Sequence, residues 1–152
     1  MGLDQWLYKR TYLLSGDWVK QEYRQTVSVN KGGNPDPKIK PEKIKYIIEE
    51  VGYWRKANAI HGWFVENVQR GKDDCGRYRV TREDLSKLLS LCNEVVENKD
   101  SAPRSLPTQS GFFFGGTDYD EWYYRDIEET IKIIEDCLSD DNAEEFEYTS
   151  SW

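Results

Sequence analysis

Residues 43–69 read KIKYIIEEVGYWRKANAIHGWFVENVQ, and the fold turns on a change of period within them. Ile44, Tyr46 and Ile48 recur at every second position, with Ile47 and Val51 breaking the alternation, which reads as a strand. From Trp54 the period lengthens: Ala57, Ile60, Phe64 and Val68 follow i, i+3, i+7 and i+11, one face of a helix. Upstream, residues 4–14 and 18–30 are rich in Trp, Tyr, Val and Thr and partly alternate, which predicts two strands joined at Ser15-Gly16-Asp17. Between them and the third strand, Lys31 to Pro41 (KGGNPDPKIKP) carries three prolines and two glycines and is expected to be a long loop.

Downstream, Gly71 and the pair Asp73-Asp74 end the first helix before a short strand at 77–80. Thr81 with Asp84 resembles a capping box, and Leu85, Leu88, Leu89, Cys92, Val95 and Val96 make a cleanly amphipathic helix. Prolines and glycines make 98–117 a loop with a short strand at 112–114, and a last helix over 118–138 buries Tyr123, Ile127, Ile131, Ile134 and Leu138. Strands first and helices afterwards imply an α+β domain, a small antiparallel sheet from the N-terminal strands packed on one face by about three helices. The expected organisation is a single domain over 1–138 and an acidic tail over 139–152, ordered only if Phe146, Tyr148 and Trp152 dock.

At 152 residues the chain suits one core, and its net charge of −7 falls to −2 without the five acids of the tail. A near-neutral body without a basic stripe argues against a nucleic acid polymer as partner. No apolar run approaches the roughly 18 residues of a membrane helix, and MGLDQWLYKRTYLL lacks a secretory cleavage site, so a cytoplasmic protein off the membrane is expected. Cys75, Cys92 and Cys137 form no CxxC pair, as for reduced thiols.

Two segments, Tyr53 to Gln69 and Leu106 to Tyr124, interleave aromatic rings with amides and hydroxyls, as a pocket for a flat polar ligand requires. On the helix, Trp54, Asn58, His61 and Val65 share a stripe: the amide can read a base edge and the imidazole can meet an anion, or both can be satisfied inside the protein. In LPTQSGFFFGGTDYDEWYY, Thr108, Gln109 and Ser110 stand beside Phe113, with glycines that let backbone amides approach a ligand. No Lys follows those glycines, so a Walker loop is excluded. Tyr119, Trp122, Tyr123 and Tyr124 supply more rings than one buried face uses, for a ligand or for a homo-oligomer interface. Asp73 and Asp74 oppose a thiolate at Cys75, and with His61 they match no metal spacing, so no catalytic residue, metal or cofactor is expected.

MGLDQWLY, EVGYWRKANAIHGWFVENVQ with DDCGRY, and LPTQSGFFFGGTDYDEWYYRDIEET resemble a family of small accessory proteins carried by tailed phages and prophages. The resemblance spans most of the chain outside 31–41 and the tail, and its motifs name no chemistry. It implies a protein of the infected bacterium's cytoplasm that counters host defence, one strategy being to sequester nucleotide second messengers. The expectation is therefore a non-enzymatic binder of a cyclic oligonucleotide or ADP-ribose derivative. Trp54, Phe113 and Tyr119 would stack on bases, with Tyr123 beside them; Asn58, Thr108, Gln109 and Ser110 would read polar groups, and Arg55 with His61 would meet phosphate. The rival expectations are a module that inhibits a host defence enzyme by surface contact and a small hydrolase using His61.

Overall fold

The computed structural model describes residues 2–141 and 145–152. Its frame is a four-stranded antiparallel sheet built around β1 (Asp4–Tyr12). On one side β1 pairs with β4 (Tyr46–Arg55), from Asp4 opposite Arg55 to Tyr12 opposite Tyr46. On the other it pairs with β6 (Glu145–Ser151), which in turn carries β5 (Tyr78–Val80), giving the order β4-β1-β6-β5. The connection from β1 to β4 contains the two-residue strands β2 (Asn30–Lys31) and β3 (Asn34–Pro35), which form a separate two-stranded sheet. Gly32 and Gly33 between them have φ of 59° and 82°, the left-handed backbone that a tight hairpin needs.

Alternation decides which face of the sheet is dry. Gln5, Leu7, Gly52, Trp54, Val80, Phe146, Tyr148 and Ser150 are buried, while their neighbours Trp6, Tyr8, Tyr53, Arg79 and Glu147 lie on the opposite, wetter face. Against the dry face pack α1 (Asn58–Asn67), α2 (Arg82–Glu97) and α4 (Glu121–Ser139), with the single turn α3 (Ala102–Ser105) beside α2. A Cβ on Gly52 would stand 2.8 Å from Ile133 Cγ2, so the missing side chain is what lets α4 lie close on β4. Within the core, Tyr148 stacks on Phe64 with centroids 3.9 Å apart, a pairing worth about 0.5–1.5 kcal/mol beyond the area it buries.

The expected capping box on α2 is present: Thr81 Oγ1 accepts from Asp84 N, and Asp84 Oδ2 accepts from Thr81 N at 2.9 Å. The α+β class, the antiparallel sheet and its helical cover are as the sequence pattern predicts.

Four elements differ from expectation. Residues 18–29 form no strand and hold only a 3-10 turn at Gln21–Tyr23, because both edges of β1 are taken by β4 and β6 and the segment buries only Val19. Trp54 belongs to β4, not to the helix, and α1 starts at Asn58 after Lys56 turns the chain with a φ of 59°. Residues 112–114 form a turn closed by Phe114 N donating to Gly111 O, so the three phenylalanines point to different environments: Phe112 is 95% exposed, Phe113 half-buried and Phe114 buried. Within the segment expected as an acidic tail, Glu145–Ser151 forms an inner strand of the sheet. Its sequence EFEYTSS alternates, sending Phe146, Tyr148 and Ser150 inward and turning Glu145 and Glu147 outward to Arg10, Arg79 and Arg77. Glu144 lies outside the described residues.

Candidate functional site

The two aromatic segments meet. β4 ends at Arg55, Lys56 N donates to Leu3 O at 2.7 Å, and α1 begins beneath the loop that links α3 to α4. Asn58 clasps that loop: its Nδ2 donates to Phe114 O at 3.0 Å and Gly116 O at 2.8 Å, and its Oδ1 accepts from Gln109 N at 2.9 Å. Further bonds close the loop on itself, from Thr108 Oγ1 to Thr117 O and from Thr108 N to Tyr119 Oη. Leu3 N ties the loop to the sheet through Phe113 O. Gly115, at φ 84°, stands where a Cβ would lie 3.2 Å from Lys56 Cβ, so a side chain there would be strained and crowded against Lys56.

Between this loop and α4 opens a cleft of about 290 Å³. One part of its wall is residues 55–60; another is Thr108, Gly115 and Gly116; the last comes from Asp118, Asp120, Trp122, Tyr123, Asp126 and Ile127. Asp120 caps α4, its Oδ1 accepting from Trp122 N and Tyr123 N at 3.1 Å. Tyr123 Oη donates to Leu106 O at 2.8 Å, and burial pushes this phenol well up from its ordinary value. Trp122 is 62% exposed and offers a ring at the cleft. Asp126, one turn further on the same helix face, is half-buried, and no hydrogen bond reaches its carboxylate from the described residues. Its burial pushes it up to about 7, with Glu129 and Asp120 adding to the rise and Arg125 opposing it.

The cleft is electrically two-sided. Arg55 and Lys56 bring positive charge from the end of β4, while the three carboxylates come from the loop before α4 and from α4 itself. Such a site suits a body with an anionic end and a donor-rich end, with an indole in the wall to lie against.

Of the residues expected at the site, Arg55, Asn58, Thr108 and Tyr123 do line this cleft. The amide of Asn58, however, is spent on the loop, and the Thr108 hydroxyl has given its proton to Thr117 O, so neither has a donor left for a ligand edge. Trp54 is 2% exposed and directs its indole N–H to Thr130 Oγ1 at 2.9 Å, so it is a core residue and no stacking platform. Gln109 covers Gly62 beside a second, smaller cavity of about 190 Å³ walled by Trp63, Glu66 and Leu106. Ser110 is exposed and outside the cleft wall, Phe113 packs edge-on with Phe112, and Tyr119 is half-buried against Tyr123.

His61 is elsewhere as well. At 1% exposure it bonds through Nδ1 to Tyr148 Oη at 2.8 Å and through Nε2 to Asp73 Oδ2 at 2.9 Å. Tyr148 continues to Gln5 Oε1, Gln5 Nε2 to Ala57 O, and Trp152 Nε1 closes over Asp73 Oδ1. Both ring nitrogens are engaged in a buried chain that ties α1 to β1 and β6, which makes His61 a structural residue and not a phosphate contact. Lys56 and Asp126 were missed from sequence. The available signal was weak: Asp126 sits next to Ile127 at the margin of the apolar stripe of α4, where an acid ordinarily turns to water.

Among the described residues no group of three His, Cys, Asp or Glu side chains is arranged to hold a metal, and no helix is long and apolar enough to cross a membrane. Burial holds the Cys92 thiol up at about 12 and that of Cys137 at about 11, so neither supplies a thiolate near neutrality. No protein-family model, curated protein or solved structure matches the chain.

Proposed function

We propose that the protein is a non-enzymatic binder of a nucleotide-like ligand, held in the cleft between residues 55–60 and the start of α4. The observation that carries this is the convergence of the two ring- and amide-rich segments on one concave site, locked together through Asn58 and Gln109. The cleft is at the lower end of the roughly 300–1,000 Å³ typical of small-molecule sites, enough for one nucleoside body. A larger cyclic oligonucleotide would seat one of its bases there and leave the others outside. Trp122 supplies the stacking surface and Arg55 with Lys56 the counter-charge for phosphate. The resemblance to phage accessory proteins makes capture of a host second messenger in the bacterial cytoplasm the biological role this reading favours.

Thermal melting against cyclic di- and trinucleotides, ADP-ribose species and mononucleotides tests it. A ligand at about 100 times its dissociation constant adds roughly 2.7 kcal/mol of stability. Trp122→Ala should fold and lose that gain; a panel with no shift contradicts the reading. A second reading, docking on a host protein or a second copy, is favoured by the β1–β4 connection, where Trp18 is 74% and Tyr23 64% exposed. A single stoichiometric protein partner retained by the Trp122→Ala variant and lost on Trp18→Ala would support it.

A further inference from the structure

Four polar groups near the cleft can be set aside as readers of a ligand edge. The Asn58 amide holds the loop, the Thr108 hydroxyl has given its proton to Thr117 O, Gly116 O accepts from Asn58, and Asp120 gives Oδ1 to two amides of α4, which leaves it one oxygen and no two-oxygen edge to offer. Asp118 is exposed at the surface. Asp126 remains, half-buried in the wall, its carboxylate without a hydrogen bond from the described residues. It follows Trp122 by four residues on α4, so the two side chains are neighbours on one helix face. A flat ring lying against the indole can therefore turn an edge toward Asp126.

An ionised carboxylate has only acceptors to offer, and its best partner is a pair of adjacent N–H donors. Guanine presents such a pair in N1–H and the exocyclic N2 amine. Adenine, cytosine and uracil present no two adjacent donors on any edge. We propose that Asp126 reads the N1–H and N2–H edge of guanine, so that the cleft takes a guanine nucleotide in preference to other bases, with Arg55 and Lys56 meeting the phosphate. This rests on the nucleotide-binding reading above.

Calorimetric titration at pH 8 with the 5′-monophosphates of guanosine, xanthosine, adenosine and uridine tests it, on the unaltered protein and on Asp126→Asn. Xanthine replaces the N2 donor by a carbonyl acceptor, and asparagine matches that change with one acceptor and one donor. The unaltered protein should prefer the guanine nucleotide, and Asp126→Asn should weaken guanine by about tenfold or more while strengthening xanthine. A merely structural role for Asp126 would lower all four affinities together. Nucleotide binding with no preference for guanine, or an order unchanged in Asp126→Asn, overturns the base assignment alone. Absence of binding by all four to the unaltered protein overturns the assignment together with the reading beneath it. The ranking on the unaltered protein decides the question independently of the variant.

Discussion

Asn58 satisfies three backbone groups with one amide, so its loss leaves Phe114 O, Gly116 O and Gln109 N without their partner. Asn58→Ala should cost about 2–3 kcal/mol, seen as a lower Tm, and should abolish ligand binding because the loop roof is no longer held. Asn58→Asp keeps the shape but cannot donate to two carbonyls, and should be the worse of the two at neutral pH. Asp126 works in the opposite sense. Its carboxyl is raised to about 7 against an ordinary value of 3.8, so folding favours the protonated form. The contribution to stability is therefore complete below about pH 4 and is lost as pH rises through 7. Asp126→Asn should match the parent near pH 4 and exceed it by about 1–2 kcal/mol at pH 8, a figure reduced for screening at a partly open site. Denaturant melts at the two pH values check this. A ligand that needs the carboxylate should bind more weakly as pH falls from 8 to 6.

Elements were legible where one face was plainly apolar. Leu85, Leu88, Cys92 and Val95 mark α2, and Tyr123, Ile127 and Ile134 mark α4, because each helix has one wet side. α1 hid its role: Asn58 through Val65 are all buried, so no polar face exists to give the pattern away, and His61 and Asn58 look functional although both serve the fold. β6 was masked by its acids, which balance arginines across the outer face of the sheet. Because β6 lies between β1 and β5 and buries Phe146 and Tyr148, ending the chain after residue 144 should remove cooperative unfolding altogether. Far- and near-ultraviolet circular dichroism during melting would show it, and a truncated chain that still melts sharply would contradict this account of the sheet. Trp54 shows the same effect of context: its position between a strand and a helix period concealed that it faces Thr130, and Thr130→Val should cost about 1–2 kcal/mol by orphaning the indole N–H.

Across the whole molecule charge is unevenly placed. The connection from Leu14 to Lys45 holds seven bases and four acids in a chain whose net charge is −7, so the rest is strongly acidic. β2 and β3 form a sheet separate from the four-stranded one, so replacing residues 27–42 by a short Gly/Ser link should leave the stability of the core within about 1 kcal/mol of the parent. That arm and the cleft belong to different parts of the molecule, one at the connection between β1 and β4, the other where β4 hands over to α1 and α4 begins. The site was half legible because its walls are the two segments that mix rings with polar groups; their meeting, and the carboxylate between them, depend on packing across the sheet. A nuclear magnetic resonance titration of the isotope-labelled protein with guanosine 5′-monophosphate tests the cleft most directly. Shifts confined to residues 55–60, 108–118 and 120–127 are expected, with the Trp122 indole among the largest; shifts centred on the arm or the outer sheet face, or none at millimolar nucleotide, would contradict a nucleotide site in the cleft.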